Sequence, residues 1–264
     1  MKRQLNIWHM LPAVVIPFTL GMVPLAGWAN GEFDEAHIFF ELNNTDGDLG
    51  IHSLIDGDAW EKLKIFGPDG NKMLDIKVKS NLQQQGLTEI FFESAEPPFE
   101  SDDPEEVTLT PEEFFERFDE GTYEIVGQTI EGEELVSEAE ITHVMPAPAE
   151  VMVNTFDAAD DCDAVLPVVA SGTPVIISWM DVDTSHPDIG IPGIPITRVN
   201  YEVVVEIDET PFKTSAILSP DANSFEVPEE ILALGSEIKF EVLVREESFN
   251  QTAIESCFCV DACD

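Results

Sequence analysis

The stretch of this chain richest in potential chemistry is Asn43-Asn44-Thr45-Asp46-Gly47-Asp48, which gathers short oxygen-bearing side chains around a glycine. Calcium takes roughly six to eight oxygens from carboxylates, amides and backbone carbonyls, so Asn44, Asp46 and Asp48 are the candidate ligands and Ca²⁺ the candidate ion. EF-hand spacing is not met: with Gly47 in the sixth position, the first is Leu42 and the twelfth Ser53. The competing reading is a strand-connecting loop whose Asn and Asp side chains bond their own backbone. Asp56-Gly57-Asp58 adds ligands only if the fold brings it alongside. A second acidic run, Asp157 to Asp163, reads as solvated charge.

Other chemistry is diffuse. His37, His52, His143 and His186 fall at no ligand spacing, and His143 reads as a face residue of a strand. There is no Gly-x-Ser-x-Gly elbow, no His-Glu-x-x-His and no phosphate loop, so no catalytic residue is assigned. The 53 acidic residues supply many carboxylate pairs for glycoside hydrolysis and single out none. Trp60, Trp179 and the paired phenylalanines have the shape of a sugar platform, but in strands such rings belong to the core.

Four cysteines, Cys162, Cys257, Cys259 and Cys263, form an even set, which in an exported chain favours disulfides. Cys257 and Cys259 lie on one face of an extended strand, too far apart for a sulfur pair. Cys162 is expected to pair with Cys257 or with Cys259, and the other of these two with Cys263.

Charge narrows the partners. The chain carries 12 basic and 53 acidic residues, a net charge of −41, which opposes encounter with nucleic acid or anionic lipid. Such a surface suits a salty medium, where counterions screen its self-repulsion. A hydrophobic content of 44% argues against wholesale disorder.

Residues 1–29 read as a secretory leader: Lys2 and Arg3, an apolar stretch from Met10 to Leu25, and Gly27-Trp28-Ala29 with small residues at both ends of the triplet. Cleavage would leave Asn30 first. No Cys near that point suggests a lipid anchor, and no later segment is long and apolar enough to span a bilayer. The expected location is periplasmic or extracellular.

The elements that must position these residues are strands. His37 to Leu42, Leu63 to Phe66, Leu74 to Val78 and Glu89 to Phe92 are short apolar or alternating runs, and Gly67-Pro68-Asp69-Gly70 has the chemistry of a tight turn. Thr122 to Val126 and Ala139 to Val144 form a further hairpin. One helix is expected, with Thr110 as cap, Pro111 first, Glu113 completing a capping box, and an end at Gly121. Met145-Pro146-Ala147-Pro148-Ala149 reads as a break in any strand ladder, dividing the chain into domains 30–146 and 147–264. Beyond it, runs at Val175 to Trp179, Val199 to Ile207, Phe212 to Leu218, Ser224 to Val227, Ile238 to Val244 and Ala253 to Phe258 have the spacing of an all-β sandwich.

The second half resembles a fibronectin type III domain over about residues 148–260. The residues that carry the resemblance are Pro148-Ala149-Glu150-Val151, Trp179, Tyr201-Glu202-Val203, Phe225-Glu226-Val227-Pro228, Leu232 to Val242 and Asn250 to Ile254. It departs from the family where Ile238 replaces a core tyrosine, so the tyrosine corner should be missing there. It departs again in the long insert Asp181 to Pro195. The first half is similar to uncharacterised domains of exported bacterial proteins, on Phe40 to Gly50 and Gly86 to Glu93. The resemblance of the second half implies a β-sandwich with no inherited binding motif, and that of the first half implies export and a β-sandwich with no transferable active site.

The sequence therefore predicts a mainly β protein of two β-sandwich domains, the second fibronectin type III or immunoglobulin-like, with one short helix in the first. The expected role is non-catalytic: an exported interaction or structural protein binding an unidentified protein or glycan surface. The alternatives are a calcium-dependent adhesin, a carbohydrate-binding module, and a hydrolase using carboxylates of the first domain.

Overall fold

Alternation of apolar and polar residues along Asp48–Phe66 makes one strand of 19 residues, and this strand organises the first half of the molecule. The computed structural model describes residues 31–207 and 210–263; the leader expected over residues 1–29 lies outside the described residues. In chain order the first elements are β1 (Glu35–Asn43), β2 (Asp48–Phe66), β3 (Lys72–Lys77), α1 (Ser80–Gln85), β4 (Leu87–Glu93), α2 (Pro111–Phe115), β5 (Gly121–Thr129), β6 (Glu134–Ile141) and β7 (Val144–Pro146). The second half follows with β8 (Val151–Val153), β9 (Phe156–Asp157), β10 (Val168–Val169), β11 (Ile176–Trp179), β12 (Ser185–Gly190), β13 (Arg198–Glu206), β14 (Lys213–Leu218), β15 (Ser224–Glu226), α3 (Glu229–Leu232), β16 (Glu237–Glu246) and β17 (Gln251–Val260). The protein is mainly β.

The start of β2 pairs with β1 and β4, and its end with β3 and β5. Register shifts between Asp56 and Lys62 bend the strand and pass it from one layer to the other. Leu49, Ile51 and Ile55 from the first layer meet Leu63, Ile65, Ile125 and Leu135 from the second in one buried cluster. Tyr123, at the start of β5, donates its hydroxyl to Asp119 O at 3.0 Å. A tyrosine corner thus exists in the first half, while Ile238 in the second half is fully buried instead.

In the second half β15, β11, β8 and β9 face β14, β13, β16 and β17 around a core that includes Trp179, Tyr201, Phe240 and Phe258. Two bridges tie its end together, Cys162 to Cys257 and Cys259 to Cys263.

The layers of the two halves are not separate sheets. Strand β17 pairs in parallel with β1 through Glu41 with Gln251, Leu42 with Thr252 and Asn43 with Ala253. One eleven-stranded sheet therefore runs β14-β13-β16-β17-β1-β2-β5-β6, with β3, β4 and β10 beside it.

Three expectations need correction. The Pro/Ala stretch does not break strand pairing at once, because Val144–Pro146 forms β7 against β12. This ladder relies on carbonyls and flanking amides, with Ala147 N bonded to Thr184 O and Ile191 N to His143 O, so the amide missing from proline is not needed. The helix keeps its capping box, with Glu113 N on Thr110 Oγ1 at 3.3 Å, but ends at Phe115 as the chain turns into β5. His143 lies past the end of β6, its Nε2 2.8 Å from Phe118 O, and is not a strand-face residue. Two further short helices, α1 and α3, accompany the expected one.

The long insert of the second half supplies β12, and its Ile189 packs on the first core. The ribbon lies so close to its partner that a Cβ on Gly190, at φ +70°, would sit 2.0 Å from His143 O. Only glycine allows that approach.

Candidate functional site at the seam

In the loop from Asn43 to Asp48 the side chain that bonds the local backbone is Asn43. Asn43 Oδ1 accepts from Thr45 N at 3.0 Å and Asp46 N at 3.2 Å, and Asn43 Nδ2 donates to Asp46 Oδ2 at 3.0 Å. Gly47, at φ +68°, turns the chain back into β2. The outer side of this loop grips the second half. Asn44 N donates to Ala253 O at 3.0 Å, while Thr45 Oγ1 both donates to Glu255 O at 3.0 Å and accepts from Glu255 N at 2.9 Å. His186 Nε2 lies 2.9 Å from Asn44 Oδ1, and its Nδ1 accepts from the amides of Asp188 and Ile189. The imidazole is therefore neutral, with its proton on Nε2.

Of the three candidate calcium ligands, Asn44 has its side-chain oxygen beside His186, Asp46 has one of its two carboxylate oxygens on Asn43, and Asp48 is half-buried beside them. Asp56 stands eight residues further along β2, roughly 26 Å away at strand spacing, and does not join the loop. Among the described residues, no group of three or more His, Cys, Asp and Glu side chains is arranged to hold a metal ion.

From this clamp a polar chain crosses the outer face of the shared sheet. The His52 side chain is only 6% exposed, with Nε2 2.8 Å from Glu96 Oε1 and Nδ1 3.5 Å from Glu41 Oε2. Gln251 donates to Glu41, and Arg245 Nε donates to Gln251 Oε1 at 2.9 Å while its guanidinium lies 5.2 Å from the centre of the Phe39 ring. Register explains the order, since Glu41 stands opposite both Gly50 and Gln251, and Gln251 opposite Arg245. A side chain on Gly50 would put its Cβ 1.9 Å from Glu96 Oε1, so this glycine is what admits Glu96 to His52.

Behind the polar chain, Asn250 holds the halves together. It is fully buried, its Oδ1 accepts from Phe40 N at 2.8 Å, and its Nδ2 donates to Thr142 O at 2.8 Å and Val144 O at 3.0 Å. Phe249, at φ +71°, stacks on His37 with ring centres 3.9 Å apart.

The seam concentrates negative charge in a poorly hydrated place. Burial, then repulsion from Glu96, Asp46, Glu41 and Glu255, pushes the Asp48 carboxyl up to about 7. Burial and Glu255 do the same to Glu241, also to about 7, against the opposing pull of Lys239. For His52, burial opposes charging, but its hydrogen bond to Glu96 and the charges of Glu41, Glu96 and Glu93 outweigh it and raise the pKa. His186 moves the other way, lowered by burial.

These directions fix a pH dependence. Carboxyls raised from near 4 to about 7 stabilise the fold fully below their unfolded values, and that stability drains away as pH rises towards 7. Protonated His52 adds stability that is lost as pH rises through its raised value. Neutral His186 contributes in the opposite sense, and its share is lost only as pH falls below 6.5 through its lowered value. The urea midpoint should therefore be higher at about pH 6 than at about pH 8. Asp48→Asn combined with Glu241→Gln should raise the pH 8 midpoint and flatten the slope. A wild-type midpoint that climbs steadily from pH 6 to pH 8 would contradict this charge arrangement.

Chemically the seam is a charge-bearing clamp of carboxylates, amides and imidazoles. All four cysteines are in disulfides, so none is a free nucleophile.

Compared with known proteins, the chain matches no family model and no curated protein. Solved structures it is similar to include a bacterial ice-binding adhesin, at 13% identity over 89% of this chain and 67% of that one, with a TM-score of 0.27. A segment of two fibronectin type III domains from chicken tenascin has 9% identity over 88% of this chain and 99% of that one, with a TM-score of 0.29. Chicken CNTN1 FN1-FN3 domains reach 10% identity over 87% and 65%, with a TM-score of 0.30. At these scores the likeness decides nothing about function, and the fold description rests on sheet order and cores.

The sequence pointed to the Asn43 to Asp48 loop and to the cysteines, but not to Glu41, His52, Glu96, Arg245, Asn250 and Gln251. No local pattern joins those six. Gly50, a glycine between Leu49 and Ile51, is an available hint.

Proposed function

We propose that the chain is an exported, non-catalytic contact scaffold whose two β-sandwich domains, 30–146 and 147–264, act as one stiff body. The observation that carries this reading is the shared sheet, in which β1 and β17 pair across the halves and Asn250 is fully buried between them. A hinged pair of domains needs no such weld, since ordinary interdomain interfaces are small and polar and permit motion. Two disulfides favour an oxidising compartment, which supports export to the periplasm or beyond. The acidic surface suits a partner reached in salt rather than nucleic acid.

The test is affinity capture from the native envelope with the bridges intact, paired with assays of the purified protein on glycosides, esters and peptides. The reading expects a co-purifying protein or glycan and no turnover. Hydrolysis abolished by a carboxylate substitution in the first domain would overturn it in favour of the hydrolase alternative. Calorimetric titration with Ca²⁺ of wild type and of the Asp46→Ala, Asp48→Ala variant decides the adhesin alternative, and equal heats in both would remove this loop from it.

A further inference from the structure

Five of the 12 basic residues of this acidic chain fall between Lys62 and Lys79. Register sets most of them on one face. Lys77, Lys62, Gln128 and Glu134 form a row across β3, β2, β5 and β6. The next row is Asp75, Lys64, Val126 and Val136, and the third is Lys72, Phe66, Glu124 and Glu138. Their strand neighbours Leu63, Ile65, Ile125 and Leu135 are buried in the first core, so these rows are the outer face of the layer. The face carries Lys72, Lys77, Lys62 and Lys64 along β3 and β2, with Asp75 paired to Lys72 among them, Glu124, Glu134 and Glu138 along β5 and β6, and three apolar side chains, Phe66, Val126 and Val136.

Such an arrangement has a cost. Lys62 stands directly opposite Lys77, and like charges so placed weaken strand pairing. The local field is also reversed relative to the seam: Glu61, bonded to Gln83 and near Lys62 and Lys77, and Asp75, bonded to Lys72, are both held below the ordinary carboxylate range.

We propose that this face is the contact between two copies of the chain, related by a two-fold axis parallel to the strands. That axis exchanges the cationic and anionic columns while keeping each row level. It sets Lys77 of each copy against Glu134 of the other, and Lys72 against Glu138. Lys64 of each copy covers Val126 of the other with its methylene stem. A two-fold axis across the strands would instead set lysine on lysine. The contact is isologous and closed, so it yields a dimer and not a fibre. Four strands about 4.8 Å apart, over roughly 17–20 Å of length, offer about 350 Å² per copy. That is under half of the roughly 800 Å² per partner of a stable complex, so the dimer is weak and forms only at high local concentration.

Sedimentation velocity on the full, bridged chain at about 0.15 M salt tests this, because a Debye length of roughly 8 Å mutes the general repulsion of two acidic bodies while leaving contact pairs intact. Wild type should show a concentration-dependent shift towards dimer. Lys72→Glu with Lys77→Glu should weaken it by about tenfold or more, as should Glu134→Lys with Glu138→Lys. All four changes in one chain should restore it, and a mixture of the two double variants should associate more tightly than wild type. The four positions are exposed, so far-UV circular dichroism should confirm unchanged folding. Wild type that stays monomeric throughout, or a dimer indifferent to the reversals, would overturn the proposal. So would a monomer whose lysines instead bind polyglutamate, since the face would then serve a foreign acidic partner.

Discussion

Replacing both Cys162 and Cys257 with serine is expected to lower the unfolding free energy by about 4 kcal/mol, the largest single loss anticipated for this molecule. The bridge joins residues 95 apart in sequence and anchors the irregular stretch after β9 to the buried middle of β17. Cross-linking removes denatured-state entropy that grows with the logarithm of the enclosed loop, which for about 100 residues amounts to roughly 4.7 kcal/mol. Few other contacts hold that stretch: Ser256 donates to Ala159 O at 2.9 Å, and β10 pairs with β17 over two residues. Urea unfolding of the serine variant against wild type measures the loss, and the slope m should rise as the freed chain expands. The same change at Cys259 and Cys263, only four residues apart, should cost about 2 kcal/mol by the same entropy. If the short bridge proved the more stabilising, loop entropy would not be what these bridges supply.

Asn250→Ala comes second, with an expected loss of about 3 kcal/mol. The substitution leaves Phe40 N, Thr142 O and Val144 O without the partners that now satisfy them beside a fully buried side chain. Each buried backbone group deprived of a partner costs about 1–3 kcal/mol, less whatever water enters the space left behind. Asn250→Asp should be no milder, because it keeps the acceptor for Phe40 N but loses both donations and adds charge in a dry place. Stability alone does not distinguish this residue from any other core position, but hydrogen exchange does. The Phe40 amide should lose protection more than amides deep in the second core, such as Val203. Equal loss at both sites would mean that Asn250 supports the whole fold and not the seam in particular.

What could be read from the sequence is what adjacent residues decide among themselves. The capping box at Thr110 and Glu113, the turn at Gly67 to Gly70 and the β5–β6 hairpin each rest on neighbours in the chain, and the structure contains all three. The strands of the second half follow from apolar runs separated by turn residues. Features made by distant partners left no such trace. Asp56-Gly57-Asp58 has the composition of a turn yet lies inside β2: Asp56 is paired on both sides, with Glu35 and Glu89, and Gly57 and Asp58 fall in the register shift that follows it. Pro146 marks an end by local rules yet pairs, since the ladder bond at that point comes from the next amide, Ala147 N to Thr184 O. Asn44 has the oxygen a cation would take, and a histidine 142 positions later lies within hydrogen-bond distance of it. The site was legible as a loop with unusual side chains, and illegible as a clamp, because the other jaw lies in the second half.

The parallel pairing of the first described strand with the last also sets when folding can finish. As the chain lengthens from its N-terminus, the edge of β1 that receives β17 must wait for some 210 further residues. Until then it presents open amides and carbonyls to any passing strand. This protein should therefore mature late and all at once, with its period of greatest aggregation risk falling before the final strand arrives.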